Sequence, residues 1–183
     1  MTERLYFTDS DEANALLASD PLALLIGFVL DQQVSVQKAF IGPLVIRERV
    51  GSLDAGTLAT ADLDTVFREK PAVHRFPGAM AARVAELVAV VRDEYGGDAG
   101  RIWSEATDAD DLRGRLAALP GFGDMKVTSL ASVLSKRFGV KVAQSLTPDH
   151  PTLGDVTSVE TLHDYQAGKR AHKAELRAAD AGI

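Results

Sequence analysis

The stretch "LALLIGFVL", Leu22 to Leu30, carries no polar side chain. A helix built from it has no face to offer to water, so other elements must surround it. Nine residues are far too few to cross a bilayer. Asp20-Pro21 just ahead supplies an N-cap and a proline at the first helical position. The chain is therefore expected to wrap further helices around this one.

The rest of the sequence offers those helices. Ser10 is placed to cap "DEANALLAS", with acidic residues in the first turn. Ser35 is placed to cap "VQKAFIGPLVIRERVG", with a kink expected at Pro43 and an end at Gly51. Thr60 or Ala61 is expected to open "ADLDTVFREK", stopped by Pro71. Met80, Val84, Leu87, Val88 and Val91 fall on one helical face that closes at Gly96-Gly97. Thr107 is expected to cap "DADDLRGRLAAL". "DMKVTSLASVLSKRFG" follows, with Leu130, Val133, Leu134 and Phe138 as its buried stripe. "VAQSLTPDHPTLGDVT" reads as a loop, and Thr157 to Ala179 as a charged helix. No strand of useful length, repeat or low-complexity tract interrupts the pattern. The expectation is an all-α fold in one domain over 1–183, and 183 residues suffice for a real core.

Composition narrows the chemistry. With no cysteine there is no disulfide, iron–sulfur cluster or thiolate zinc site, and a reducing cytoplasm is expected. His163 and His172 stand nine apart, which is not a metal-ligand spacing. The acidic, polar "MTERLYFTDSDE" does not read as a signal peptide. Net charge is −6, which alone argues against a nucleic-acid partner. The distribution says otherwise. Between Leu112 and Val142, Arg113, Arg115, Lys126, Lys136, Arg137 and Lys141 face only Asp124, a local charge of +5. Six acids accumulate against Arg4 in the first 31 residues. An acidic chain can thus present one basic face.

That basic segment contains "LPGFGDMK", a corner between two helices with glycines on both sides of an exposed-looking Phe122. A change of direction needs one glycine. Two suggest that backbone N–H groups at the start of the second helix meet an outside anion at close range. Lys126, one turn on, is placed to add charge. Such a clamp holds a phosphate and reads no sequence. Other features have plainer readings: Trp103 as core, Phe76 as packing beside a solvated Arg75, and Lys169, Arg170, Lys173 and Arg177 as a solvated face with a DNA-flanking role as the alternative.

"LPGFGDMK" resembles the helix–hairpin–helix of the base-excision DNA glycosylase superfamily, in which a Gly/Pro-rich loop and an aspartate accompany the hairpin. "LLIGFVLDQQVSVQKAF" resembles its upstream helix pair with a Gln-rich turn, and "HRFPGAMAARVAELVAVVRDEYGG" its intervening helix. The resemblance runs from about Leu22 to His150. It implies two helical lobes flanking a cleft, with the hairpin at about 110–138 and duplex DNA bent over the mouth. A damaged base is then flipped into the cleft. It further implies that Gln33 fills the gap left by the base, with Gln32 and Ser35 beside it. Gly121, Phe122, Gly123 and Lys126 hold the backbone, and hairpin carbonyls near Leu119 and Gly121 are positions for a monovalent cation.

Strand-cutting relatives carry a lysine two positions after the second hairpin glycine. Here Met125 stands there, and Lys126 is rotated by about 100°, so lyase chemistry is not expected. A monofunctional mechanism needs an aspartate to stabilise an oxocarbenium-like sugar. Asp149 in "TPDH" lies further along than usual. Alignment on the proline puts His150 there instead, Asp155 is a third candidate, and Asp31 lies beside the wedge. The implied activity is a DNA N-glycosylase on damaged duplex DNA, without a membrane role, monomeric and associated with the cytoplasmic nucleoid. The alternative is a non-catalytic binder of distorted DNA. A hydrolase of free nucleosides is a third, weaker reading.

Overall fold

The computed structural model describes residues 2–182. Among them are ten α-helices, two 3-10 turns and no strand, so the fold is all-α. The helices are α1 (Asp11–Ser19), α2 (Pro21–Leu30), α3 (Val36–Val50), α4 (Ala55–Thr60), α5 (Leu63–Arg68), α6 (Pro77–Tyr95), α7 (Arg101–Ser104), α8 (Ala109–Ala117), α9 (Asp124–Phe138) and α10 (Val159–Ala181).

The apolar run is the centre of the core. Every residue of α2 from Leu22 to Leu30 is buried, between α1, α3 and α6. Asp20 turns the chain by 114° between α1 and α2; its carboxylate accepts from the Leu22 and Ala23 N–H groups. Phe40 of α3 meets Phe7 and Phe28 edge-on, at centroid distances of 4.9 and 5.2 Å. The Phe40 ring reaches the α2 backbone because residue 27 is glycine; a Cβ there would overlap the ring. Among the described residues no single helix is long and apolar enough to cross a membrane.

Caps decide most helix ends as read. Ser10 and Ser35 accept from the N–H groups of Ala13 and Lys38, and Gly51, Gly96 and Gly139 end α3, α6 and α9 in the left-handed region. Three local expectations are corrected. Asp108, not Thr107, caps α8, because its carboxylate reaches the Asp111 N–H. Asp62, not Thr60 or Ala61, caps α5, and residues 55–60 form a separate helix capped by Asp54. The stretch expected as a loop after α9 holds 3-10 turns at Lys141–Leu146 and Leu153–Asp155. Helix α3 continues through Pro43.

Helices α7 to α9 and the 3-10 turns pack largely on one another, as α1 to α6 do. Val127, Leu130, Ala131, Val133 and Leu134 form the buried stripe of α9, with Phe138 half-buried. Trp103 packs partly exposed against the core. The α8–α9 corner meets the first group through Phe122, whose ring lies 6.4 Å from that of Phe28.

Candidate nucleic-acid interface

The site begins with a problem at the C-terminus of α2. A helix end leaves its last carbonyls without partners, and a buried end must find donors. Phe28 O accepts from Asp31 N–H. Val29 O accepts from the Gln32 side chain at 3.0 Å and from Lys126 Nζ, on α9, at 3.3 Å. Leu30 O receives His74 Nε2 at 3.0 Å, and the same nitrogen lies 3.1 Å from Gln32 O. His74 Nδ1 accepts the Phe76 N–H at 2.9 Å. These partners fix a neutral imidazole with its proton on Nε2, and burial pushes its pKa below the usual histidine value. Three parts of the chain are thereby joined at one helix end: the 31–35 turn, the 74–76 loop and the first turn of α9.

Gln33 stands at the tip of that turn. It is the only described non-glycine residue with positive φ, +57°, a conformation that costs an L side chain roughly 1–2 kcal/mol. Its side chain is exposed and makes no hydrogen bond among the described residues. Gln32 instead folds back onto Val29 O, and the Ser35 hydroxyl is spent on its cap.

The two hairpin glycines differ. Gly121 has φ +82°, where a side chain is strained, and the Arg83 side chain lies 3.4 Å from a Cβ built there. Gly123 has φ −87° and ψ −179°, which any residue adopts, and nothing lies within 4 Å of its Cβ position. The backbone conformation demands the first glycine; the second is demanded by neither φ nor crowding, and the fold gains from it only the modest preference for glycine over alanine at an N-cap. Gly123 is also the N-cap of α9 without a side-chain cap. The N–H groups of Gly123, Asp124, Met125 and Lys126 therefore have no partner among the described residues. They border an open recess of about 460 Å³ lined by Gln32, Arg83, Gly121, Gly123, Asp124, Met125 and Lys126. Met125 is 80% exposed at its edge.

Several expected residues are placed otherwise. Phe122 is buried, 6% exposed; it anchors the corner on Phe28 and does not present its ring to a partner. Lys126 turns inward to cap α2, because that buried carbonyl is a stronger demand than open solvent. Burial lowers its pKa, and the Asp31 carboxylate opposes that shift. Asp149 is exposed and without a hydrogen bond, and His150, also exposed, only reaches Pro151 O at 3.3 Å. Asp155 is structural: it accepts the Thr152 N–H in a capping box and pairs with Lys136. Phe76, expected as packing, is 39% exposed, with the Arg75 guanidinium 5.2 Å from its centroid.

Asp31 is the recessed carboxylate. Burial raises its pKa, while the charges of Lys169 and Lys126 draw it back down. It sits next to Gln32 and Gln33, at the end of α2 to which the hairpin is tied. No group of three histidine, aspartate or glutamate side chains among the described residues could hold a metal ion. At the hairpin, Leu119 O accepts the Phe122 N–H at 3.2 Å, whereas Gly121 O accepts nothing among the described residues.

No family model matches this chain, and neither a curated protein nor a solved structure matches it.

Proposed function

We propose that the protein binds duplex DNA through the 119–126 hairpin and is a monofunctional base-excision N-glycosylase of the helix–hairpin–helix, two-lobed kind. The observation that carries this reading is Gly123 with the free amides that follow it. A glycine that neither φ nor crowding requires, at the uncapped start of a 15-residue helix, fits a partner backbone approaching the amides.

In this reading the hairpin amides hold a phosphate, and a monovalent cation on the carbonyls of Leu119 and Gly121 stiffens the loop. Gln33, held outward by its left-handed backbone, fills the space vacated by the extruded nucleotide. The recess beside Met125 receives that nucleotide. Asp31 is better placed than Asp149 to stabilise positive charge on the sugar: it is recessed, next to the wedge, and flanked by Lys126 and Lys169, which favour its ionised form. Met125 has no amine, so the sugar is not attacked by the protein. The partner is damaged duplex DNA, and the setting is the cytoplasmic nucleoid.

The exposure of Asp149 and His150 favours a second reading, a binder of distorted DNA without catalysis. One experiment separates the two. A panel of duplexes, each with one lesion, is incubated with protein and treated with alkali to reveal abasic sites. Cleavage with the wild type, lost in Asp31→Asn and kept in Asp149→Asn, is the expected result. Loss only in Asp149→Asn transfers the role to that residue. Salt-dependent binding without any abasic product establishes the binder.

A further inference from the structure

Helix α10 runs off the body of the molecule. Leu162 is its one buried residue, and Gln166 exchanges two side-chain hydrogen bonds with Gln37 of α3, at 3.1 and 2.7 Å. Beyond that point every described residue, 167 to 182, is exposed. About 22 Å of helix stands in solvent with a glycine, Gly168, within it. A segment of this length is marginal as an isolated helix.

Its charges are sorted. At 100° per residue, Lys169, Lys173, Arg177 and Arg170 fall within an arc of about 100° that also contains Leu162 and Gln166. The face that packs on the body thus continues outward as a cationic stripe. Glu160, Asp164 and Glu175 lie on the opposite side, and Asp180 closes the stripe at its far end. None of the ion pairs among the described residues involves α10. The stripe starts at Lys169, one turn beyond Gln166, whose amide is bonded to Gln37 in the first turn of α3, directly after the turn that carries Gln33.

We propose that the projecting part of α10 is a second DNA-contacting element, with Lys169, Arg170, Lys173 and Arg177 lying along the phosphates of a duplex held at the hairpin. The inference rests on the DNA-binding reading above. Lys169 and Arg177 are about 12 Å apart along the axis, which spans three to four base steps at 3.4 Å each. Charge complementarity selects the occupant. Leu176 is the one large apolar side chain on the projecting segment, too little for a helix lying in a membrane surface or for a seam with a second copy.

The test is the salt dependence of binding to an undamaged duplex, measured for four proteins. They are the wild type, Gly123→Ala, a variant with Lys169, Arg170, Lys173 and Arg177 all changed to Gln, and the same variant with Glu160→Gln, Asp164→Asn, Glu175→Gln and Asp180→Asn. The last keeps the net charge at −6. Each lost phosphate contact lowers the slope of log K against log salt by about 0.9. The expected result is a slope lower by roughly 3–4 in both α10 variants. Amide exchange of residues 167–182 should also slow in the wild type when duplex is added.

A wild-type slope in the four-cation variant overturns the inference, and leaves the hairpin reading intact if Gly123→Ala still weakens binding. Recovery of the wild-type slope in the charge-compensated variant also overturns it, because bulk charge then explains the loss. So does α10-dependent binding to phosphatidylserine vesicles with DNA binding unchanged. Absence of any salt-dependent duplex binding by the wild type overturns both readings.

Discussion

Gly121→Ala and Gly123→Ala change the same atom count two residues apart, with opposite consequences. The first puts a side chain at φ +82°, which costs about 1–2 kcal/mol. The second meets open space in ordinary extended backbone and loses only the N-cap preference of glycine over alanine, roughly 0.5–1 kcal/mol. The second leaves a folded protein with a methyl group over the free amides, and duplex affinity should fall in it even well below its thermal midpoint. Equal affinity for Gly123→Ala and wild type would mean that no backbone approaches there. His74 gives a pH signature. An unfolded histidine takes up its proton near pH 6.5, whereas burial holds the folded one neutral to lower pH. The unfolded state then binds more protons, so stability is full above about pH 6.5 and declines as pH falls toward the folded value. Denaturant unfolding at steps from pH 7.5 to 5 should show that decline, and His74→Gln should flatten it.

At the scale of elements, the packing of α2 on α3 depends on one missing methyl. The Phe40 ring occupies the space a Cβ at residue 27 would need. Gly27→Ala must push α3 outward or drive the ring off its rotamer, at a cost of about 1–3 kcal/mol. A drop of several degrees in thermal midpoint, read by circular dichroism, is expected. The loop after α5 is held in a comparable way: Arg49 donates to Val66 O, Glu69 O and Pro71 O at 2.7–2.9 Å, and Lys38 to Ala72 O at 2.8 Å. The 74–76 loop is therefore delivered to the end of α2 as a set piece. Its helix neighbours were readable from caps, since Ser10, Asp20 and Ser35 act over two or three residues. Arg49 and Lys38 were not, because their acceptors lie 17 to 34 residues away and no periodicity marks a carbonyl.

Across the whole molecule, the apolar run of α2 announced the architecture, since a helix without a polar face leaves only burial at the centre. The site was legible in part. The hairpin and the Gln turn could be picked out as unusual backbone, and their proximity could not. It follows from Lys126 crossing 97 residues of sequence to reach Val29 O, a bond that shows only when both helices are folded. The same bond explains why a lysine expected to meet a phosphate is turned inward. The body of the protein ends, energetically, near Gln166. Removal of residues 167–183 should move the thermal midpoint by no more than about 2 °C, since every described residue there is exposed. A larger fall would show that the projecting helix braces the core.

The tetrad 120–123 also separates two kinds of selection that are usually entangled. Folding retains Gly121 through its positive φ; on the proposed DNA-binding reading, contact with a phosphate retains Gly123 beyond its modest N-cap preference. A lineage that kept this architecture but abandoned its partner would be free to drift at 123 while 121 stayed fixed. On that reading, a comparison of those two columns across a family of such chains should separate members that bind DNA from members that do not.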